Sequence, residues 1–168
     1  IFLTEHQEVW KEWYLEEEHL LKKVMSKNER ISHIGSTAVY SIWAKPIIDI
    51  LLEVPRESDL LYYKDLIINS GYICMSQTEN RLSFNKGYTE NGFAKRVFHL
   101  HLRYEGDNNE LYFRDYLIEQ PDVAKEYEEL KFKLWKKYEH NRDAYTNGKT
   151  ELVKKYTEKA KILYRNRY

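Results

Sequence analysis

The sequence predicts an α+β fold. Three features predict it: strict two-residue alternation at 47–54, a second alternating stretch at 95–104, and helix-period patterns at the beginning of the chain and throughout its last third. At 168 residues the chain is long enough for one hydrophobic core and short for two. No repeat, low-complexity tract or linker divides it, so a single domain over 1–168 is expected.

Between Glu5 and Val24, the residues Val9, Trp10, Trp13, Tyr14, Leu20, Leu21 and Val24 recur near helical spacing, with Glu16, Glu17, Glu18, Lys22 and Lys23 between them. Arg30–Ile34 reads as a short strand running into the break Gly35-Ser36-Thr37. Ile47–Val54 is the clearest strand: Ile48, Ile50, Leu52 and Val54 make a wholly apolar face, and Ile47, Asp49, Leu51 and Glu53 make the other. Pro55 ends it. Ser58 is expected to cap a helix that stops at Asn69-Ser70-Gly71. Strands follow at Tyr72–Met75, Arg81–Asn85 and Lys95–Tyr104, the last two joined by a turn around Asn91-Gly92. The remainder is expected to be helical: Asn108–Glu119, a helix opened by Pro121, and a last one from about Asn147 to Tyr164.

Composition narrows the function classes. Basic and acidic residues both number 27, so the net charge of zero argues against a protein that coats a nucleic-acid backbone. No apolar run reaches the roughly 18–20 residues a membrane span needs. The N-terminus shows no basic stretch followed by a long apolar one, and the cytoplasm is the expected location. The lone Cys74 excludes an internal disulfide and reads as a small core residue within Tyr72-Ile73-Cys74-Met75. Six of the 15 tyrosines (Tyr14, Tyr63, Tyr127, Tyr138, Tyr156 and Tyr164) fall in helix-like segments, where a ring can pack while its hydroxyl stays wet; a base-stacking platform is the sharper alternative.

The second alternating strand carries chemistry. Phe98, Leu100, Leu102 and Tyr104 share one face, while Val97, His99, His101 and Arg103 share the other. If this strand and Ile47–Val54 lie in one sheet, His99, His101, Asp49 and Glu53 line a common face. Two imidazoles and two carboxylates there make either a divalent metal site or an acid–base site. The plain alternative is an exposed sheet face that tolerates histidine, with Glu53 a solvated strand end. A second feature is His33-Ile34-Gly35-Ser36-Thr37-Ala38-Val39. Glycine after a strand lets backbone amides approach an anion, and Ser36 and Thr37 add hydroxyl donors. Lys45, Arg81, Arg103 and Arg114 are further candidates for holding an anion.

His33-Ile34-Gly35-Ser36-Thr37-Ala38-Val39 followed by Ala44-Lys45-Pro46-Ile47-Ile48-Asp49-Ile50 resembles the signature of the GrpB family. His99-Leu100-His101-Leu102, Phe113-Arg114-Asp115-Tyr116-Leu117 and Tyr127-Glu128-Glu129-Leu130-Lys131 extend the resemblance over nearly the whole chain. It implies a fold similar to the DNA-polymerase-beta-like nucleotidyltransferases: a mixed sheet packed with helices and a helical C-terminal portion. In that superfamily a Gly-Ser turn holds nucleotide phosphates, an Asp-x-Asp or Asp-x-Glu pair on the next strand holds metal, and a third carboxylate stands on a later strand. Asp49 matches the first carboxylate. Leu51 stands where the second belongs, and His99 and His101 occupy the later strand. Family members also tend to carry Pro-Gly-Leu where this chain has Tyr40-Ser41-Ile42.

The expected function is therefore metal-assisted nucleotidyl, or related phosphoryl-type, transfer to a small molecule. Asp49, His99 and His101 are the catalytic candidates. Those three with Glu53 are the candidate ligands for Mg²⁺, Mn²⁺ or Zn²⁺, and a nucleotide is the candidate cofactor. One alternative is acid–base chemistry on a small amino-acid-like substrate at the same residues. Another is a ligand-binding module without catalysis.

Overall fold

Alternation at 47–54 sends every second side chain inward, and Ile48, Ile50, Leu52 and Val54 are all fully buried. A computed structural model describes residues 2–89 and 92–168. Its strands are β1 (Arg30–Ile34), β2 (Ile48–Val54), β3 (Ile73–Gln77), β4 (Arg81–Thr89) and β5 (Gly92–Tyr104), in the sheet order β1-β2-β5-β4-β3. β2 and β5 are parallel, and every other pairing is antiparallel, so the sheet is mixed. Asn91, of the turn expected between the last two strands, lies outside the described residues.

The register defines the two faces. Ile50 pairs with Leu100 and Leu52 with Leu102; across β4, Phe84 pairs with Leu100 and Leu82 with Leu102. All six are buried, so they make one continuous apolar layer. Helix α1 (Val9–Val24) lies on that layer. Its Tyr14 ring stacks on His33, the partner of Ile50, with centroids 4.7 Å apart. Its Glu17 is buried and accepts from Tyr72 Oη (2.9 Å) and Lys86 Nζ (2.8 Å). Helix α2 (Leu60–Asn69) is capped by Asp59, whose carboxylate accepts from the Leu61 amide at 2.9 Å, rather than by the expected Ser58. The run Tyr72–Met75 also departs from expectation. It feeds an edge strand, where Ile73 and Met75 are exposed and Cys74 is only half-buried; Tyr72 alone enters the core.

The chain forms two compact units. The sheet unit comprises Glu8–Ile34 and Ile47–Asn108, and the helical unit comprises Ile1–Gln7, Gly35–Pro46 and Asn109–Tyr168. The helical unit contains α3 (Asn109–Glu119), α4 (Pro121–Lys137), α5 (Arg142–Asn147) and α6 (Thr150–Leu163). Pro121 opens α4 as expected. The helix expected from 147 to 164 is instead two. Asn141 caps α5 by accepting from the Ala144 amide, and Gly148 separates it from α6. A Cβ at Gly148 would lie 2.4 Å from a Leu134 methyl, so a larger residue there would make Leu134 shift. Val39, Ile42, Leu117, Ala124 and Tyr127 form the core of this unit, and Tyr112, Ala160 and Tyr164 form a second cluster. The tyrosines at 14, 63, 127, 156 and 164 are all buried, which makes them packing groups.

Candidate functional site

On the face of the sheet opposite the apolar layer, parallel pairing sets Asp49 beside His99 and Leu51 beside His101. The Asp49 carboxylate consequently lies between two imidazoles. Its Oδ1 is 3.8 Å from His99 Nδ1 and 3.5 Å from His101 Nε2, and the three side chains keep between 25% and 29% of their surface open. Groups buried to that degree can meet a solute while their attractions stay stronger than in bulk water. The separations are those of an open site, longer than a tight hydrogen bond.

Tyr88 is the member of this group that sequence reasoning missed. Its hydroxyl is 2.9 Å from His99 Nε2, so His99 meets a carboxylate at one nitrogen and a phenol at the other. By strict alternation Tyr88 would share a face with Phe84 and Lys86. The register between β4 and β5 shifts between Lys86 and Tyr88, and this irregularity brings the phenol to His99. Gly87 makes it possible: its φ is +102°, and a Cβ there would sit 2.2 Å from the Arg96 carbonyl oxygen. The sequence signal was the glycine inside an alternating run.

The far end of the same face does structural work. Glu53 is buried, accepts from the Gly106 amide (3.1 Å) and Asn108 Nδ2 (3.0 Å), and faces Arg30 at 3.7 Å. The loop after β5 thus holds Oε2 of the carboxylate that was expected to hold metal or to be solvated, while Oε1 is buried and has no hydrogen-bond partner among the described residues. Arg81 holds Asp107 with two bonds of 2.8 and 2.7 Å, and buried Arg103 approaches the same carboxylate at 3.4 Å. Two of the three guanidinium groups named for an anion, Arg81 and Arg103, are thus engaged with that loop.

In the helical unit, Gly35 (φ +76°) leads into the single turn Ser36–Ala38, with Thr37 buried. Beneath the turn stands a residue that sequence reasoning left unassigned. Lys131 is buried and donates to Ser36 Oγ (2.9 Å) and to the Trp43 carbonyl (2.6 Å), while Glu128 accepts from the Trp43 amide (2.8 Å). Burial, reinforced by the charge of Lys149 and to a lesser degree Lys45, brings the Lys131 amine down to about 7 against the pull of Glu128. Lys45 sits 5.0 Å from the Tyr145 ring centroid. Arg114 is bound to Asp115 (2.9 Å) and to Tyr168 Oη (2.9 Å) and packs the C-terminal end of the chain.

Two-metal nucleotidyl transfer needs paired carboxylates around the cations. Leu51 is fully buried at the position where the second would stand. Among the described residues, no group of three or more His, Cys, Asp or Glu is set to hold a metal ion.

A five-stranded mixed sheet, packed with helices and bearing a carboxylate on an interior strand, places the protein in the class with a nucleotidyltransferase-like α+β fold. One solved protein with this likeness is the Cid1 poly(U) polymerase with MgGTP bound, at a TM-score of 0.54 and 17% identity; the match spans 80% of this chain and 44% of that one, and at this identity it concerns fold alone. Within that class, the chain belongs to the GrpB family: the family model described as GrpB protein matches residues 1–159. The chain is 37% identical over 161 residues to the glutamate-rich protein GrpB of Alkalihalophilus pseudofirmus, with 91% of each chain covered. It is 35% identical to the UPF0157 protein YqkA of Bacillus subtilis over 160 residues, which are 93% of this chain but under half of that one, at 46%. The crystal structure of the conserved protein GrpB from Enterococcus faecalis superposes with a TM-score of 0.79 at 32% identity, covering 97% of this chain and 99% of that one. Among the described residues, no helix is long and apolar enough to cross a membrane.

Proposed function

We propose that this protein is an enzyme that moves protons on a small carboxylated or amino-acid-like molecule. Asp49, His99 and His101 are its catalytic groups, and Tyr88 is a positioning residue for His99. The observation that carries this reading is the carboxylate set between two imidazoles, one of them braced at its far nitrogen by a phenol. A carboxylate facing an imidazole N–H fixes the tautomer and strengthens the other ring nitrogen as a base. His101 can thus take a proton from the substrate at its other nitrogen and return it at a neighbouring atom, while Asp49 steadies the imidazolium and His99, held at both nitrogens, fixes the carboxylate between them. Such chemistry requires no second carboxylate, which agrees with Leu51.

A second reading is metal-assisted nucleotidyl or phosphoryl transfer. The fold likeness favours it, and Leu51 counts against it.

The test is conversion of a pooled set of small metabolites by the full chain, followed by mass spectrometry. The proposal expects isomerised or dehydrated products that form in the presence of EDTA. Products that appear only when Mg²⁺, Mn²⁺ or Zn²⁺ is supplied with a nucleoside triphosphate would establish the second reading instead. An unchanged pool under every condition would contradict both.

A further inference from the structure

The amine of Lys131 is dry and stands against a hydroxyl. The residue is 2% exposed, with Nζ 2.9 Å from Ser36 Oγ, 2.6 Å from the Trp43 carbonyl oxygen and 5.1 Å from the centroid of the Tyr127 ring. A buried ammonium ordinarily has a carboxylate of its own. Glu128, which favours the charged form, is taken by the Trp43 amide (2.8 Å) and approached by Lys125 (3.8 Å). Burial above all, then Lys149 and Lys45, favour the neutral amine. A neutral amine can still donate to the Trp43 carbonyl. It also has a lone pair, which can accept the Ser36 hydroxyl proton across the same 2.9 Å. Ser36 is half-buried and follows the exposed Gly35, so the turn carries the hydroxyl toward the surface while the amine stays inside. A serine within hydrogen-bond reach of a desolvated amine is the arrangement of a nucleophile and its base.

We propose that Ser36 is a nucleophile and Lys131 its general base, and that together they hydrolyse a small carboxylic ester. Ser36 Oγ bonds to the ester carbonyl carbon as its proton passes to Lys131 Nζ and the carbonyl π pair moves onto oxygen. That pair then returns, the bond to the leaving oxygen breaks, and the Lys131 ammonium gives its proton to the departing alkoxide, which leaves as the alcohol. Water attacks the acyl group on Ser36 and gives a proton to Lys131. The Oγ–carbon bond breaks, Oγ takes that proton back, and the carboxylic acid is released. The uncharged carbonyl of an ester suits a base that is itself uncharged. No residue of the acid–base reading takes part, so the two proposals fail separately.

The test treats the full chain with an alkyl fluorophosphonate, which captures activated serines with loss of fluoride, and with p-nitrophenyl acetate. The fluorophosphonate should form an adduct that mass spectrometry maps to Ser36. Its rate should rise as pH passes upward through about 7, where Lys131 loses its proton. p-Nitrophenyl acetate should be hydrolysed faster than in buffer. Ser36→Ala removes one hydroxyl; it should melt within a few degrees of wild type and lose both the adduct and the hydrolysis. Lys131→Met should slow labelling of Ser36 about a hundredfold or more and abolish the rise near neutral pH, which a mere packing role would not do. If Lys131→Met does not fold, the mapped adduct and the pH profile of wild type decide alone. The proposal is overturned if folded wild type gives no Ser36 adduct at about pH 8, if its labelling rate ignores pH around neutrality, or if folded Lys131→Met labels as fast as wild type.

Discussion

Ile50→Asp is expected to abolish cooperative folding at 25 °C. Ile50 is fully buried in β2, with β1 on one side and β5 on the other, and its pairing partners are His33 and Leu100. The substitution removes an apolar side chain whose burial is worth about 1.5–3 kcal/mol. It also puts a carboxylate into a layer of Leu82, Phe84, Leu100 and Leu102, where taking the charge out of water is costly. The combined cost is comparable with the whole stability of a domain this size, about 5–15 kcal/mol. Circular dichroism with temperature checks it, with Leu61→Asp on the exposed side of α2 as the control. The control should melt within a few degrees of wild type, and the same behaviour in Ile50→Asp would mean that the buried face has been misassigned.

Stability should rise with pH between 7 and 9.5, and Lys131 should be the reason. Its amine is brought down to about 7 in the folded chain against 10.5 as its ordinary value, so across this window the unfolded chain binds the extra proton. Stability rises with pH wherever the unfolded state binds more protons; the stabilisation is therefore greatest above the unfolded value and is lost as pH falls through about 7. The effect is on the order of 3 kcal/mol over that range. The urea midpoint of wild type should climb accordingly, and that of Lys131→Met should stay nearly flat. Equal slopes in the two proteins would show that Lys131 remains charged in the fold.

Much of this site was legible in the residues. Alternation at 47–54 and 95–104 fixes which side chains share a face, and the structure pairs those strands so that Asp49, His99 and His101 meet. What periodicity could not carry is a break in period. Tyr88 reaches His99 only because the register slips at Gly87, and alternation assigns it to the wrong side. The helical breaks at Asn141 and Gly148 likewise follow from one cap and one close contact. Lys131 is different, because it stands four residues after Tyr127 and three before Leu134, within the buried stripe of α4. A lysine at such a position is ordinarily read as solvated, since buried ammonium groups are rare without partners. Its acceptors, Ser36 and the Trp43 carbonyl, lie nearly a hundred residues away in sequence, and no local pattern announces them. Glu53 shows the opposite error. Its strand-end position suggested a metal ligand or a solvated group; it is buried rather than solvated, with Oε2 held by Gly106 and Asn108.

The central claim is that Asp49 is kept for chemistry, and Asp49→Asn tests it most directly. The substitution preserves shape and removes the charge between the two imidazoles. Groups held for catalysis contribute little to stability and are often strained, so the variant should melt within a few degrees of wild type or above it. Its EDTA-resistant conversion of the metabolite pool should fall about a hundredfold or more. A melting temperature far below wild type, with conversion unchanged, would contradict the account and make Asp49 a structural residue.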